Sequence, residues 1–152
     1  MSRCEVLHPS LGDNLETLSE CIDQLSIKEH VPQIEVAIAE QGSILILRHL
    51  KPLNTNDELI LDEYSKKLSI TWYLQSGGLE TIKPLRHSIQ LTYSLPNHSI
   101  VMSFLPNDFT QVNFELNKKM IDLALDLLQL NENDNVIAVS YTHLTLPTNR
   151  EV

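Results

Sequence analysis

Side chains that can both donate and accept hydrogen bonds are concentrated in one short stretch of the chain. Asn107, Gln111, Asn113 and Asn117 all lie where a predicted pair of strands gives way to a predicted helix. A carboxamide carries two N–H donors and a carbonyl acceptor, so it can bind a polar ligand or satisfy backbone groups where a helix begins. We therefore treat residues 105–117 as the candidate functional stretch and keep both alternatives open.

Other reactive side chains are few and scattered. The two cysteines, Cys4 and Cys21, are too few for a disulfide framework. Cys21 lies on the apolar side of a predicted helix, which indicates a buried thiol, and Cys4 lies in a terminal segment without a local partner. The six histidines show no spacing typical of metal ligands. We interpret Trp72 and Tyr73 as core residues rather than as a stacking platform.

The elements that must position the candidate stretch follow from hydrophobic periodicity. Apolar residues at steps of three and four predict helices, and alternating or continuous short apolar runs predict strands. The predicted helices cover about 12–25, 56–68 and 114–130. The predicted strands cover 33–40, 44–47, 70–74, 88–93 and 99–104, and a further strand begins at 135–137. This order predicts an α+β fold, a small mostly antiparallel sheet with helices packed on one face.

Two finer predictions concern the helix at 56–68. Thr55 and Glu58 have the spacing of a capping box, which would fix the beginning of the helix. Its core-facing side chains are predicted to be Leu59, Ile60, Tyr64 and Leu68.

The strand at 44–47 is a continuous aliphatic run and is predicted to be buried on both faces.

Composition limits the classes of function. The chain has 152 residues, 42% of them hydrophobic, which permits a packed core. Its formal net charge of -9 argues against strong nucleic-acid binding by this chain alone, because phosphate contacts require Lys and Arg. No apolar run approaches the ~18 residues of a membrane span, and no signal peptide is evident, so we expect no membrane partner and a cytoplasmic location.

The candidate stretch carries a motif. Its residues are Pro106, Phe109, Gln111, Val112, Asn113, Asn117 and Met120. They form a proline, then Phe-x-Gln-Val-Asn, three variable residues, an asparagine and then a methionine. This pattern resembles that of the RNA uracil-5-methyltransferases, with the 23S ribosomal RNA branch the most similar. Weaker similarity extends from Cys4 to Ile137.

The resemblance implies a three-part enzyme. An OB-like RNA-binding domain precedes a central domain that holds a [4Fe-4S] cluster, and a Rossmann-like domain that binds S-adenosylmethionine follows. In the family a cysteine attacks C6 of uracil, C5 takes the methyl group, and a general base removes the C5 proton from the flipped-out base. The expected partner is 23S ribosomal RNA, and we expect a monomer.

Individual roles are carried over position by position. Gln111 matches the family's glutamine that contacts S-adenosylmethionine, and Phe109 matches a position that can pack against the target base or its RNA. Cys4 matches the last cysteine ligand of the cluster, which needs four thiolates. Lys118 and Lys119 are the first choice for contacts with the RNA backbone.

The chain also departs from the family. After Ile137 the family continues into a glycine-rich cofactor loop, whereas 139–152 contains no glycine and resembles a translated sequencing adapter, so we interpret it as an artefactual tail. We assign 1–104 to an incomplete central domain, and 105–138 to the linker motif, the hinge helix and the start of the S-adenosylmethionine-binding domain. The catalytic cysteine and base are expected downstream, so the fragment itself is predicted to be inactive.

Two alternatives remain open. The first is a transfer RNA uracil-5-methyltransferase relative. Cys4 and Val112 argue against it, because that branch lacks the cluster and tends to carry proline at the position of Val112. The second is a non-catalytic α+β interaction module, which the acidic charge and the absence of a complete catalytic constellation favour.

Overall fold

The computed structural model describes residues 4–5, 7–111, 113–131 and 133–135. The chain forms two compact units, one ending at Asn107 and the other beginning at Asp108. The predictions for Val112, for a strand at 135–137 and for the tail at 139–152 involve residues outside this description. In the part of the chain that is described, no helix is long and apolar enough to cross a membrane.

The first unit contains three α-helices and six strands among its described residues. The helices are α1 (Pro9–Gly12), α2 (Leu15–Gln24) and α3 (Thr55–Leu68). The strands are β1 (Gln33–Ala39), β2 (Gly42–Arg48), β3 (Ile70–Gln75), β4 (Lys83–Pro84), β5 (Leu91–Leu95) and β6 (Ile100–Phe104). The second unit contains α4 (Phe114–Leu128).

The main sheet has the order β1-β2-β3-β4. β1 and β2 form an antiparallel hairpin whose turn uses Gly42 at a φ of 144°, a value that side-chain-bearing residues rarely adopt. β2 and β3 are parallel, with α3 as the crossover between them, and β4 returns antiparallel to β3. β5 and β6 form a separate antiparallel pair. The predicted α+β class, with a small mostly antiparallel sheet, is confirmed.

β2 separates two hydrophobic clusters. Its residues Ile44 to Leu47 are all 0% exposed, as the continuous aliphatic run predicted. Leu45 and Leu47 pack with Trp72 and side chains of α2 and α3 on one face. Ile44 and Ile46 pack with Tyr73, Leu91 and the β5–β6 side on the other face. The helices α2 and α3 of the first unit therefore pack on one face of the sheet, and Trp72 and Tyr73 belong to the core.

The helix predicted over about 12–25 is found as α2, which begins at Leu15 and ends at Gln24, and a separate short helix, α1, precedes it. The terminal segment packs closely against the end of α1: Cys4 N–H donates to the Gly12 carbonyl at 3.1 Å. A Cβ on Gly12 would lie 2.5 Å from the Cys4 carbonyl oxygen, so only glycine permits this contact.

The cap and the buried face of α3 also differ from the prediction. The capping box is formed by Asn54 and Asp57, one residue before the predicted Thr55 and Glu58. The buried α3 residues are Asp57, Leu61, Tyr64 and Leu68, whereas Leu59 is 56% exposed. The helix is thus rotated so that Asp57 points inward, and Leu61 takes the core position predicted for Leu59.

Candidate functional site

The beginning of α4 is determined by Asn113. Its side-chain carbonyl accepts a hydrogen bond of 2.9 Å from Leu116 N–H, which satisfies one of the backbone donors left unpaired where a helix begins. Glu115 in the first turn adds a favourable charge at the positive end of the helix dipole. Asparagine directly before a periodic apolar stretch is a cap signal, so the sequence pattern alone could have separated Asn113 from the other amides.

Gln111 and Phe109 precede this cap in extended, irregular backbone. Gln111 is exposed, and its side chain makes no hydrogen bond to any other described residue. Phe109 is 69% exposed, so most of its ring is accessible. Because Asn113 serves as the helix cap, the Gln111 amide is available for a ligand.

Lys118 and Lys119 follow one turn into α4. The Lys118 ammonium lies 3.4 Å from the Glu115 carboxylate, and only a quarter of its side chain is exposed. Lys119 is exposed and forms no ion pair with a described residue. Of the two, Lys119 therefore has the ammonium group better placed to meet an approaching phosphate.

The apolar stripe of α4 is exposed along its length. Leu116, Met120, Leu123 and Leu127 recur at steps of four, three and four and are 55%, 53%, 58% and 74% exposed. None of the described residues of α4 is buried. The helix ends at Leu128, with Gln129 in the left-handed region at a φ of 48°, two residues before the predicted end.

The two thiols differ in their surroundings. Cys4 lies in the first unit and is partly exposed. Cys21 is 0% exposed, and burial, assisted by the nearby Glu63 carboxylate, raises the pKa of its thiol to about 12. A thiol with this pKa remains protonated at neutral pH and is a poor metal ligand and nucleophile. The prediction of a buried Cys21 is confirmed.

The described residues do not fit a complete iron–sulfur site. They contain no group of three or more His, Cys, Asp or Glu side chains that could hold a metal ion. Only two cysteines exist in the whole sequence, and Cys21 is buried in the core. Cys4 could at most contribute one of the four thiolates that such a cluster requires.

The candidate residues thus fall in separate units. Phe109, Gln111, Lys118 and Lys119 all belong to the unit that begins at Asp108, and Cys4 belongs to the unit that ends at Asn107. The second unit presents an accessible ring, an available amide and an exposed ammonium on one short segment and the helix that it caps. These groups can stack on a base, hydrogen-bond a polar ligand and neutralise a phosphate.

Curated proteins with similar sequences share one name. A 23S rRNA (uracil(1939)-C(5))-methyltransferase RlmD of Vesicomyosocius okutanii is 55% identical over 99% of this chain and 35% of its own length. This chain is homologous to part of the 23S rRNA uracil-5-methyltransferases. Proteins of the same name from Bordetella avium and Burkholderia thailandensis are 40% and 39% identical, over 90% and 99% of this chain. No family model matches.

The chain spans about a third of the length of these relatives, with 35%, 29% and 33% of each covered. The resemblance found in the candidate stretch is therefore confirmed as homology over nearly the whole chain. Alignments covering 99% of the chain also run into 139–152, whereas the Bordetella alignment covers 90%. The interpretation of 139–152 as an artefactual tail stays a prediction.

Proposed function

We propose that this chain is a structural and ligand-contacting part of an enzyme that methylates C5 of a uracil in 23S ribosomal RNA. The observation that carries the proposal is the 55% identity over 99% of the chain to a protein named for that activity on uracil 1939. We assign the same uracil to the complete enzyme. The names of the relatives support the ribosomal over the transfer RNA branch.

Gln111 is proposed to bind S-adenosylmethionine. The cofactor supplies the methyl group, and its polar groups require hydrogen-bond partners that an amide can offer as both donor and acceptor. The structure supports this role because Asn113, not Gln111, accepts the Leu116 N–H that needs a partner at the beginning of α4. The alternative, in which Gln111 serves only the helix start, is weakened because Asn113 already accepts one of the N–H groups there.

Phe109 is proposed to pack against the target base or the RNA beside it. Its ring is 69% exposed, and an accessible ring face can stack on any base. Lys119 is proposed to contact the RNA backbone, with Lys118 as a weaker contributor because its ammonium is engaged by Glu115. The net charge of -9 is compatible with this RNA contact, because a local pair of lysines is enough to contact phosphates over one small region of the surface.

Cys4 is proposed to be one ligand of a [4Fe-4S] cluster in the complete enzyme, with the other three thiolates contributed by residues outside this chain. The first unit would then be the central domain, and 105–138 would be the linker motif, the hinge helix and the beginning of the cofactor domain. We further propose a monomeric, cytoplasmic enzyme. This chain alone is proposed to be inactive, because Cys21 is protonated and buried and cannot attack a base.

A chimera tests the proposal. Residues 4–135 of this chain replace the aligned segment of the Vesicomyosocius relative, and transfer of a labelled methyl group to unmodified 23S ribosomal RNA is measured. We expect activity within about tenfold of the intact relative, and none from the isolated chain. A chimera that folds and binds RNA but transfers no methyl group would contradict the proposal and favour an interaction module.

A further inference from the structure

The exposed lysine and arginine side chains of the first unit fall into two sets. Those of the first set lie close to a carboxylate: Lys28 at 3.7 Å from Asp23, Lys66 at 2.9 Å from Asp62, Lys67 at 3.7 Å from Glu20 and Arg86 at 3.4 Å from Glu58. The second set consists of Arg48, Lys51 and Lys83, which are exposed and form no ion pair with a described residue. The charges of the second set are therefore available to a ligand.

The second set lies at one end of the main sheet. Arg48 ends β2 and pairs in register with Gln75, the last residue of β3. Because β4 runs antiparallel to β3, its first residue, Lys83, lies beside Leu74 at the same end. Only β3 separates β2 from β4, and adjacent strands are about 4.8 Å apart, so the backbones of Arg48 and Lys83 are about 10 Å apart. Lys51 lies in the loop that follows β2.

The backbone of Lys51 is fixed by its neighbours. Nδ1 of His49, a residue only 9% exposed, donates to the Lys51 carbonyl at 2.7 Å. The backbone N–H of His49 donates to the Gln75 carbonyl, and that of Leu50 to the His30 carbonyl, both at 2.9 Å. The loop is thus attached both to β3 and to the segment before β1, which lowers the entropic cost of binding a ligand there.

Carboxylates at this end of the sheet leave the second set unneutralised. Asp57 and Glu58 lie in the first turn of α3, but Asp57 is buried within its own hydrogen bonds and Glu58 pairs with Arg86. Glu29 and Glu80 are exposed, and neither forms an ion pair with a described cation. A local positive region therefore exists in a chain whose formal net charge is -9.

The spacing of the second set suits an extended polyanion. A small anion would need cations that converge on one point, whereas these side chains are distributed along the end of a sheet. An RNA strand offers a series of phosphates to such cations. We propose that Arg48, Lys51 and Lys83 contact the phosphate backbone of RNA. This inference rests on the proposed function, because the proposed action on 23S ribosomal RNA is the reason to choose RNA over an acidic protein.

The test measures how tightly the chimera binds a labelled 23S ribosomal RNA fragment that contains the target uracil, by fluorescence anisotropy at several salt concentrations. The triple variant replaces Arg48, Lys51 and Lys83 with Ala. We expect its Kd to rise by at least about tenfold, and the slope of log affinity against log salt to fall by about 2–3, because each lost phosphate contact removes about 0.7–0.9. If the triple variant does not fold, the three single variants decide, each with a slope reduced by about one.

The matched control removes the same charge from the paired lysines of the same unit, by Lys28→Ala, Lys66→Ala and Lys67→Ala together. Its Kd should stay within about threefold of the unsubstituted chimera, because these ammonium groups already face carboxylates. Equal weakening by the two triple variants would show an effect of net charge alone and overturn the proposal. Unchanged RNA affinity after loss of Arg48, Lys51 and Lys83 would also overturn it and favour an acidic protein as the partner.

Methyl transfer by the unsubstituted chimera separates this inference from the proposed function. A chimera that methylates its RNA but binds it independently of Arg48, Lys51 and Lys83 would contradict this inference alone. A folded chimera that transfers no methyl group would contradict the proposed function, whatever its affinity for RNA.

Discussion

The backbone N–H of Ser26 donates a hydrogen bond of 2.7 Å to Oδ1 of Asp57, and the Ser26 hydroxyl donates another of 2.8 Å to Oδ2. Asn54 N–H adds a third, at 3.1 Å, to Oδ2. Asp57 is 0% exposed, so these donors replace the hydration of its carboxylate. This carboxylate joins the loop after α2 to the beginning of α3 and fixes how α3 is rotated.

Replacing Asp57 should therefore destabilise the first unit. Asp57→Ala leaves the Ser26 and Asn54 donors without their acceptor, and we expect the free energy of unfolding to fall by about 2–4 kcal/mol. Urea unfolding followed by Trp72 fluorescence measures the loss. The matched control is Asp23→Asn, an exposed carboxylate 3.7 Å from Lys28, which should change stability by less than about 0.5 kcal/mol. Equal effects of the two substitutions would contradict the role of the network.

The same carboxylate makes stability depend on pH. Burial alone would raise the pKa of Asp57, but the hydrogen bonds from Ser26 and Asn54 outweigh it and lower this pKa below its usual value. The folded state therefore binds the proton less readily than the unfolded state. The resulting stabilisation is complete above about pH 4 and is lost as pH falls through the lower folded-state pKa.

This prediction is tested by urea unfolding of the wild type and of Asp57→Asn at pH values from about 2.5 to about 6. The difference in free energy of unfolding should be constant near pH 6 and should shrink below about pH 4. A difference that grows on acidification would show that burial, not hydrogen bonding, controls the ionisation of Asp57.

The two cysteines should differ in reactivity towards a thiol reagent. Burial holds the pKa of Cys21 at about 12, whereas Cys4 is partly exposed. At pH 8 we expect one thiol to react rapidly with Ellman's reagent and the second to react only on unfolding. Cys4→Ser should remove the fast phase and Cys21→Ser the slow one. Rapid reaction of both thiols in the folded chain would contradict the burial of Cys21.

The exposed stripe of α4 predicts weak protection of that helix. None of its described residues is buried, whereas α3 buries Asp57, Leu61, Tyr64 and Leu68. Hydrogen exchange should therefore be at least about tenfold faster in α4 than in α3. Asn113→Ala should speed exchange in α4 further, by removing the cap of Leu116, and Asn113→Asp should restore it. Protection of α4 equal to that of α3 would show that the stripe is covered.

The local sequence pattern predicted where helices and strands lie better than it predicted which face of α3 packs against the core. Asn54 with Asp57 and Thr55 with Glu58 both match capping spacing, and consecutive apolar residues at Leu59, Ile60 and Leu61 fit either rotation of α3. The choice depends on Ser26, which lies 31 positions before Asp57 and is not part of any local pattern. In the same way, the contact between Cys4 and Gly12 at the end of α1 is not part of any local pattern.

The candidate site residues, in contrast, were predicted from a sequence motif and not from the pattern of helices and strands. Gln111 and Phe109 were found through their spacing within a motif, and no property of their local structure alone distinguishes them from other exposed loop residues. The structure contributes the observation that Asn113 caps α4 and leaves the Gln111 amide available. Trp72 was correctly predicted to be in the core, but its unpaired N–H depends on side chains brought together by the fold.

Gln111 provides the site-specific prediction in the chimera. Gln111→Ala should raise the KM for S-adenosylmethionine by about tenfold or more, since a hydrogen bond to a charged ligand contributes about 1.5–3 kcal/mol. Asn107→Ala, in the same stretch, is the matched control and should leave this KM within about twofold. An unchanged KM in Gln111→Ala would remove Gln111 from the cofactor site.

The central claim is tested most directly by nucleoside analysis of 23S ribosomal RNA from cells whose own uracil-1939 methyltransferase gene is deleted. The chimera that carries residues 4–135 of this chain is expressed in these cells, and 5-methyluridine at position 1939 is quantified by mass spectrometry. We predict that the modification returns with the chimera and is absent with the isolated chain. A folded, soluble chimera that leaves position 1939 unmethylated, beside an intact relative that restores it, would contradict the account.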